Sequence, residues 1–387
     1  MRVRIYTMTH KRFFEPEEKS LYIPLHVGRA LGGELGYLGD NTGDHISEWN
    51  NRYGELTGVY WVWKNDMDSD IIGICHYRRF FVDQERNLLK QKDYERILGE
   101  YDVIVSTGMM AEGTYLQYYG EAHNVEDLYA VGRAIQKLYP DDYPIFKQIL
   151  NQPKYYYGNL MVTGRKLFMD YAEWLFSILQ ESGKEIDVSS YDLYNQRVFG
   201  FLSEQLLMLW VIKQDLKVYE CPIGITAEKA ETTELKLAIG QLIKMGEISQ
   251  AREMLYGFLE IRPDVRLELS DIKGEIPLIE QILYIMEEEE NRGIEGLYQY
   301  SNQLDSLILH FGKTADILKA CGRGSFLEGQ KQYCLENKVS WVMVMVILLN
   351  IPITVKEKAD ILEQWKLFLR QNGKTEDAHA LEGVRFT

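Results

Sequence analysis

Residues 71–81 read IIGICHYRRFF, and the reading of this stretch decides the fold. Isoleucine, glycine and cysteine as far as Cys75 make a short apolar run that suits a buried strand. His76, Tyr77, Arg78 and Arg79 follow with no turn signal between. Unpaired cations are costly to bury, so these groups are expected to meet something anionic at the end of the strand. In open α/β sheets that is where ligands sit, beyond the carboxyl ends of the strands. Neighbours in an extended segment point to opposite sides, so Arg78 and Arg79 can serve one phosphate only if the chain turns there. Otherwise His76 and one arginine face a ligand while the other arginine pairs with a structural carboxylate. Two structural salt bridges are the competing reading.

Outward from this strand, residues 1–225 alternate short strand-like runs with helical patterns. RVRIYTMT, DIIGICHY, DVIVST, YYGNLMVTG and LKVYECPI are strand candidates, and helices are expected over Glu55–Asn65 and Tyr191–Gln214. Such alternation argues for an α/β sandwich around a largely parallel sheet. AEKAETTELK is a charged connector, and residues 226–387 show no convincing strand. There LAIGQLIKMGEISQAREMLYGFLEIRPD sets a Gly turn between two amphipathic helices, with Pro after the second, which resembles a tetratricopeptide hairpin. The remainder repeats too weakly for a full array, so an all-α, solenoid-like second domain is expected. WVMVMVILLNIPI, from Trp341, is short for a membrane span and reads as a buried helix.

A net charge of −15 over 387 residues argues against a general nucleic-acid binder. A nucleotide held in a locally basic cleft is compatible with it. Cys75, Cys221, Cys321 and Cys334 lie far apart with no zinc spacing, which fits reduced thiols. MRVRIYTMTHKRFF has neither a long apolar core nor a cleavage site, so no signal peptide is expected and a cytoplasmic location is. His10, His26, His45, His76 and His123 all fall in the first third, which puts any chemistry in the first domain.

Thr7, His10 and Lys11 close the first strand and are candidate ligand contacts, or a junction that happens to be polar. GYLGDNTGDHIS, residues 36–47, packs Asp40, Asn41, Thr42 and Asp44 into one tight turn. Asx side chains bond their own backbone in such turns, yet this many carboxylates and amides also suits ribose or sugar hydroxyls. A loop followed by a Ser47 cap is the plainer reading. In ELTGVYWVWKN the stripe Leu56, Tyr60 and Trp63 is read as core, with Glu55 and Lys64 as the exceptions worth testing. In YNQRVFGFLSEQLLMLW, Arg197, Gly200 and Glu204 share one helical face. Glycine there leaves space for a ligand near the backbone, with Glu204 as a candidate general base. Close helix packing with an ordinary salt bridge explains the same spacing.

THK, YIPLHVGRA, LGDNTGDHIS, ELTGVYWVWKN, GICHYRRFF and FGFLSEQLL, in this order, resemble the bacterial capsular and exopolysaccharide synthesis proteins classed as domain of unknown function 4422. The resemblance covers roughly residues 2–222. It implies a GT-A-like, Rossmann-type glycosyltransferase domain, a nucleotide-sugar donor such as a UDP-sugar, and a saccharide or lipid-linked saccharide acceptor. A cytoplasmic protein working peripherally at the inner face of the membrane is expected, with the helical domain, which lies outside the resemblance, open to a protein partner. His45 stands where the pattern has Asn, and Gln205 where it has Arg. Many enzymes of this fold hold a divalent metal, Mn or Mg, with paired aspartates at the end of a mid-sheet strand. Asp66, Asp68 and Asp70 precede the strand instead, so no cofactor is expected. His76, Arg78 and Arg79 are then the positive groups beside a leaving diphosphate, with Thr7, His10, Lys11, Asp40, Asn41, Thr42, Lys64 and Arg197 completing the donor site. Glu204 is the leading base for an inverting transfer and Asp44 the second. A non-catalytic carbohydrate-binding or scaffolding protein is the alternative, and a phosphate-ester hydrolase fits the cations but lacks a clear metal site.

Overall fold

The computed structural model describes residues 1–266, 270–337 and 339–386. The chain divides into two compact units, Met1–Ala227 and Glu228–Thr387.

Strands of the first unit are β1 (Val3–Thr9), β2 (Tyr22–His26), β3 (Leu38–Gly39), β4 (Ile71–His76), β5 (Arg79–Phe81), β6 (Val103–Ser106), β7 (Met109–Met110), β8 (Lys154–Tyr155), β9 (Met161–Gly164), β10 (Val218–Cys221) and β11 (Ile223–Ile225). The main sheet runs β10-β6-β9-β4-β1-β2-β3, with β5 joining β4 to β11 and with β7 and β8 forming a separate ribbon. Every pairing along that path is parallel except those of β9, which lies antiparallel between β4 and β6. The helices are α1 (Asn50–Tyr53), α2 (Leu56–Asn65), α3 (Gln91–Leu98), α4 (Tyr115–Gly120), α5 (Val125–Leu138), α6 (Tyr143–Leu150), α7 (Arg165–Ser182) and α8 (Val198–Lys213).

Both faces of the sheet are covered, and the strands alternate accordingly. Tyr6 and Met8 of β1 and Ile72 and Ile74 of β4 join one core, with residues of α2, α5, α7 and α8. Val3, Ile5, Ile71 and Cys75 join the other, with Tyr94 and Ile97 of α3. The glycine of the opening stretch has a packing cause: a Cβ on Gly73 would stand 2.4 Å from Ile5 Cδ1 and 2.9 Å from Val162 Cγ2. Strand β2 carries Pro24, which a central strand would reject. It is accepted because β3 pairs only with Leu25 and His26, leaving Pro24 on a local edge.

The candidate YYGNLMVTG is a strand only from Met161, and the helix expected from Tyr191 begins at Val198. Asp192 Oδ1 accepts the N–H groups of Tyr194 and Asn195, an Asx turn that competes with helical bonding. Within α2 the buried residues are Leu56, Thr57, Gly58, Val59, Trp61 and Val62, while Tyr60 and Trp63 are half-buried against Phe176 of α7.

The second unit is helical throughout its described residues. Its first hairpin joins α9 (Ala230–Met245) to α10 (Ile248–Ile261) through Gly246 at φ +84°, where Glu247 N–H bonds Leu242 C=O at 2.9 Å. That is the left-handed helix stop expected of a Gly turn. Trp341–Asn350 is a helix with a buried apolar face, and among the described residues no helix is long and apolar enough to cross a membrane. The four cysteines are free and buried.

Candidate functional site

The chain does turn after β4. His76 pairs antiparallel with Arg79, so Tyr77 and Arg78 form a two-residue bend that brings both arginines to the carboxyl end of the central strand. Arg78 and Arg79 are 5% and 7% exposed. The guanidinium of Arg79 lies 4.5 Å from the ring centre of Tyr157 and donates to its hydroxyl at 2.9 Å, while its Nε is buried without a protein acceptor. His76 Nε2 is likewise buried without a partner. Burial comes first in setting His76 well below its ordinary value, at about 4, and the nearby Arg79, Arg78 and Arg197 add to it against the pull of Glu55. His76 is therefore neutral at pH 7.

Two carboxylates face these cations. Glu55 is the N-cap of α2, with Oε1 accepting from Asn159 Nδ2 at 2.8 Å and Oε2 lying 3.6 Å from Arg197 Nη2. Burial alone would raise its pKa, but His76 when charged, then Arg197 and the Asn159 bond outweigh it and hold it low. At neutral pH this attraction comes from Arg197 and Asn159, because His76 carries no charge there. Glu204, in the second turn of α8, accepts from Gly158 N–H at 2.8 Å. Burial, with Glu55 as a like charge, raises it to about 8 despite the Gly158 bond, Arg79 and Arg197. It keeps part of its surface exposed. Tyr115, Tyr118, Tyr119 and Tyr155 stand around it close enough to feel its charge, and the Tyr119 hydroxyl is buried without a partner. The centre thus holds one ionised and one protonated carboxyl beside three arginines at pH 7, a pattern of separated acid and base strengths found at functional sites.

The helix carrying Glu204 differs from its expected form. Arg197 is the cap of α8, outside its regular turns, and it pairs with Glu55. A Cβ on Gly200 would meet the Glu55 carboxylate oxygens at 3.7 and 3.9 Å. Glu55 from α2, not open space, therefore fills the side of Gly200.

Other expected residues divide. Beyond β1, His10 and Lys11 gather on Tyr77: the His10 ring lies 5.3 Å edge-on, and Lys11 Nζ is 5.0 Å from the ring centre. They stand at the same sheet end as His76, which pairs with Met8. Thr7 is fully buried within the sheet, with its hydroxyl lacking a hydrogen-bond partner. Asp40 is also fully buried, accepting from Gly28 and Arg29 N–H groups at 2.9 and 3.0 Å and from Ser47, so it shapes its loop from inside. Thr42 accepts from Trp61 Nε1 through both its hydroxyl and its carbonyl oxygen. Asn41 beside it is half-buried. Asp44 accepts from Tyr60 OH at 3.1 Å and bonds the Asn65 side chain, and Lys64 lies over Trp63 at 3.3 Å. Asn65 and Lys64 belong to the last turn of α2, about 15 Å along the helix from Glu55. Asp44 and Lys64 are therefore separated from the Glu55–Glu204 centre.

Asp66 is fixed by Tyr6 OH at 3.0 Å, by Ser69 and by Arg165, while Asp68 and Asp70 hold Arg2. These aspartates lie at the amino end of β4, as their sequence position implies. Among the described residues no three His, Cys, Asp or Glu side chains are grouped to hold a metal ion. Of the two departures, Gln205 is buried and directs Nε2 toward Ile149 C=O of α6, away from the centre, and His45 pairs with Glu48. Tyr157 and Asn159 were missed in the sequence. The Gly-Asn pair at 158–159 was their one signal, since such pairs mark left-handed turns.

Residues 4–215 match the family described as domain of unknown function (DUF4422). No curated protein matches the chain. Among solved structures, the apo structure of the bifunctional glycosyltransferase WbbM is similar at 30% identity and a TM-score of 0.52, over 59% of this chain and 46% of that one. This chain therefore spans less than half the length of that protein. The mixed sheet with helices on both faces matches a glycosyltransferase fold.

Proposed function

The chain belongs to the domain of unknown function 4422 family, and from that premise we propose that its first unit transfers a sugar from a nucleotide-sugar donor to a saccharide acceptor. A UDP-sugar donor, a free or lipid-linked acceptor and a place in capsular or exopolysaccharide assembly complete the reading. Similarity to a bifunctional glycosyltransferase supports it. The observation that carries it is the convergence of His76, Arg78, Arg79 and Arg197 with Glu55 and Glu204 at the carboxyl end of β4.

A departing nucleoside diphosphate gains negative charge as the glycosidic bond breaks. Guanidinium groups already oriented in a partly dry site stabilise that charge without reorganising. Arg79 is held by Tyr157, and its buried Nε–H offers a bond that a phosphate oxygen completes. Neutral His76 presents a second unpartnered nitrogen, Nε2 of its ring, beside it. In the fraction of molecules where Glu204 is ionised, which grows as pH rises toward 8, its carboxylate takes the proton of the acceptor hydroxyl as that oxygen attacks. A carboxylate whose conjugate acid titrates at about 8 is basic enough for the task. Asp44 is displaced as second choice by its distance, and Glu55 takes that place.

The test is thermal shift with uridine and other nucleoside diphosphates, followed by a donor panel assayed with saccharide acceptors. A stabilising nucleotide and consumption of its sugar conjugate are expected. No shift with any nucleoside diphosphate, together with saccharide binding, would favour the scaffolding alternative.

A further inference from the structure

Three consecutive residues, Tyr157, Gly158 and Asn159, each hold one ionisable group of the centre. Tyr157 binds Arg79 through its ring and hydroxyl. Gly158 N–H binds Glu204, and Asn159 Nδ2 binds Glu55. The turn that permits this is unusual, with Gly158 at φ +88° and Asn159 at φ +54°. Asn tolerates that region better than most residues with a side chain, and Gly occupies it freely. A Cβ on Gly158 would stand 3.2 Å from Arg79 Nη1. Asn159 is buried, and its polar atoms are all engaged: Nδ2 also donates to Gly200 C=O at 3.0 Å, and Oδ1 accepts from Ser203 Oγ at 2.9 Å. Its amide therefore ties the cap of α2 to the first turns of α8.

We propose that Asn159 is the positioning residue of the two-carboxylate centre, clamping Glu55 against α8 and fixing its distance from Glu204. The clamp rests on the glycosyl-transfer reading only for its purpose. As an arrangement of groups it is testable without turnover. Glu55 faces His76 on β4, Arg197 ahead of α8 and Glu204 on α8. Glu204 faces Glu55, Arg79 and Arg197, with Tyr115, Tyr118, Tyr119 and Tyr155 around it. Among these neighbours Asn159 supplies Glu55 with a neutral donor. Removing it leaves the Glu55 carboxylate less stabilised and easier to protonate.

The experiment is a pH titration of the full chain carrying 13C-labelled glutamate side chains, read by NMR. Glu55→Gln and Glu204→Gln identify the two signals by their loss. Asn159→Gly keeps a backbone suited to positive φ and removes the side chain, with its bonds to Glu55, Gly200 and Ser203. It is expected to raise the Glu55 midpoint by about 1 pH unit, the scale of one lost hydrogen bond to a charged group. Ser203→Ala leaves residue 159 intact and frees Oδ1. It should shift Glu55 in the same direction by less, and it serves if Asn159→Gly does not fold. Should a donor be found, Asn159→Gly should lower kcat more than it raises donor KM. An unshifted Glu55 midpoint in the folded variants overturns the proposal. If the wild-type chain turns over no donor, the transfer reading fails and the Glu55 shift still decides the role of Asn159.

Discussion

His76 and Glu204 depart from their ordinary values in opposite directions, and each departure links stability to pH. His76, lowered from 6.5 to about 4, contributes stability that is complete above pH 6.5 and is lost as pH falls toward 4. Glu204, raised from 4.5 to about 8, contributes stability that is complete below 4.5 and is lost as pH rises through 8. The two slopes oppose each other between 4.5 and 6.5, and above 6.5 only that of Glu204 remains. Glu204→Gln cannot ionise, so its Tm relative to the wild type should climb from pH 6.5 to 8 in parallel thermal melts. A constant difference over that range would mean that Glu204 is already ionised. The same substitution should lower transfer by roughly 100- to 10,000-fold if Glu204 is the base. Arg79 makes a second residue-scale prediction. Arg79→Ala should weaken UDP binding by about 1.5–3 kcal/mol, the range for hydrogen bonds to a charged group. Arg79→Lys should restore only part, because an ammonium lacks the planar fork. Calorimetry showing unchanged affinity in Arg79→Ala would remove this side chain from the donor site.

At the scale of elements, β4 shows how tightly the centre is supported. Gly73→Ala would gain roughly 0.5–1 kcal/mol in backbone entropy, but overpacking against Ile5 and Val162 costs about 1–3 kcal/mol. Both neighbours are fully buried. A net loss, seen as a Tm lower by about 2–6 °C, is expected, and an unchanged Tm would show slack between β1, β4 and β9. The same strand marks what the sequence makes legible. Apolar runs ending in polar residues located β1, β4 and β6, because burial on both faces of a parallel sheet writes itself as continuous hydrophobicity. Strand β2 was hidden by Pro24, whose acceptability depends on where β3 begins. The tyrosines before Gly158 carry high strand preference, which drew a loop into the expected β9. Glu204, His76 and the arginines were visible as polar groups in apolar settings. The bond between Glu55 and Asn159 joins residues 104 apart in sequence. It follows from the route of the chain across the sheet, which local pattern does not contain.

For the whole molecule, the division at Ala227 and Glu228 separates complete hydrophobic cores. The two cores of the first unit end at Val211 and Cys221, with partly buried margins reaching Val218 and Ile223. That of the second begins at Leu235. Each unit therefore buries its own apolar surface, which is the condition for folding as a separate domain. Every charged group of the centre lies before the division, from Glu55 to Glu204. A chain ending at Ala227 should therefore melt cooperatively and bind UDP within about threefold of the full-length affinity, a difference of only ~0.65 kcal/mol. Residues 228–387 expressed alone should melt cooperatively and bind none. Calorimetric scans and titrations of both pieces read these outcomes directly. The outcome against this division of labour is a folded 1–227 chain that fails to bind a nucleotide bound by the full protein. The helical unit would then supply part of the donor site, and the groups gathered at the end of β4 would be insufficient for recognition.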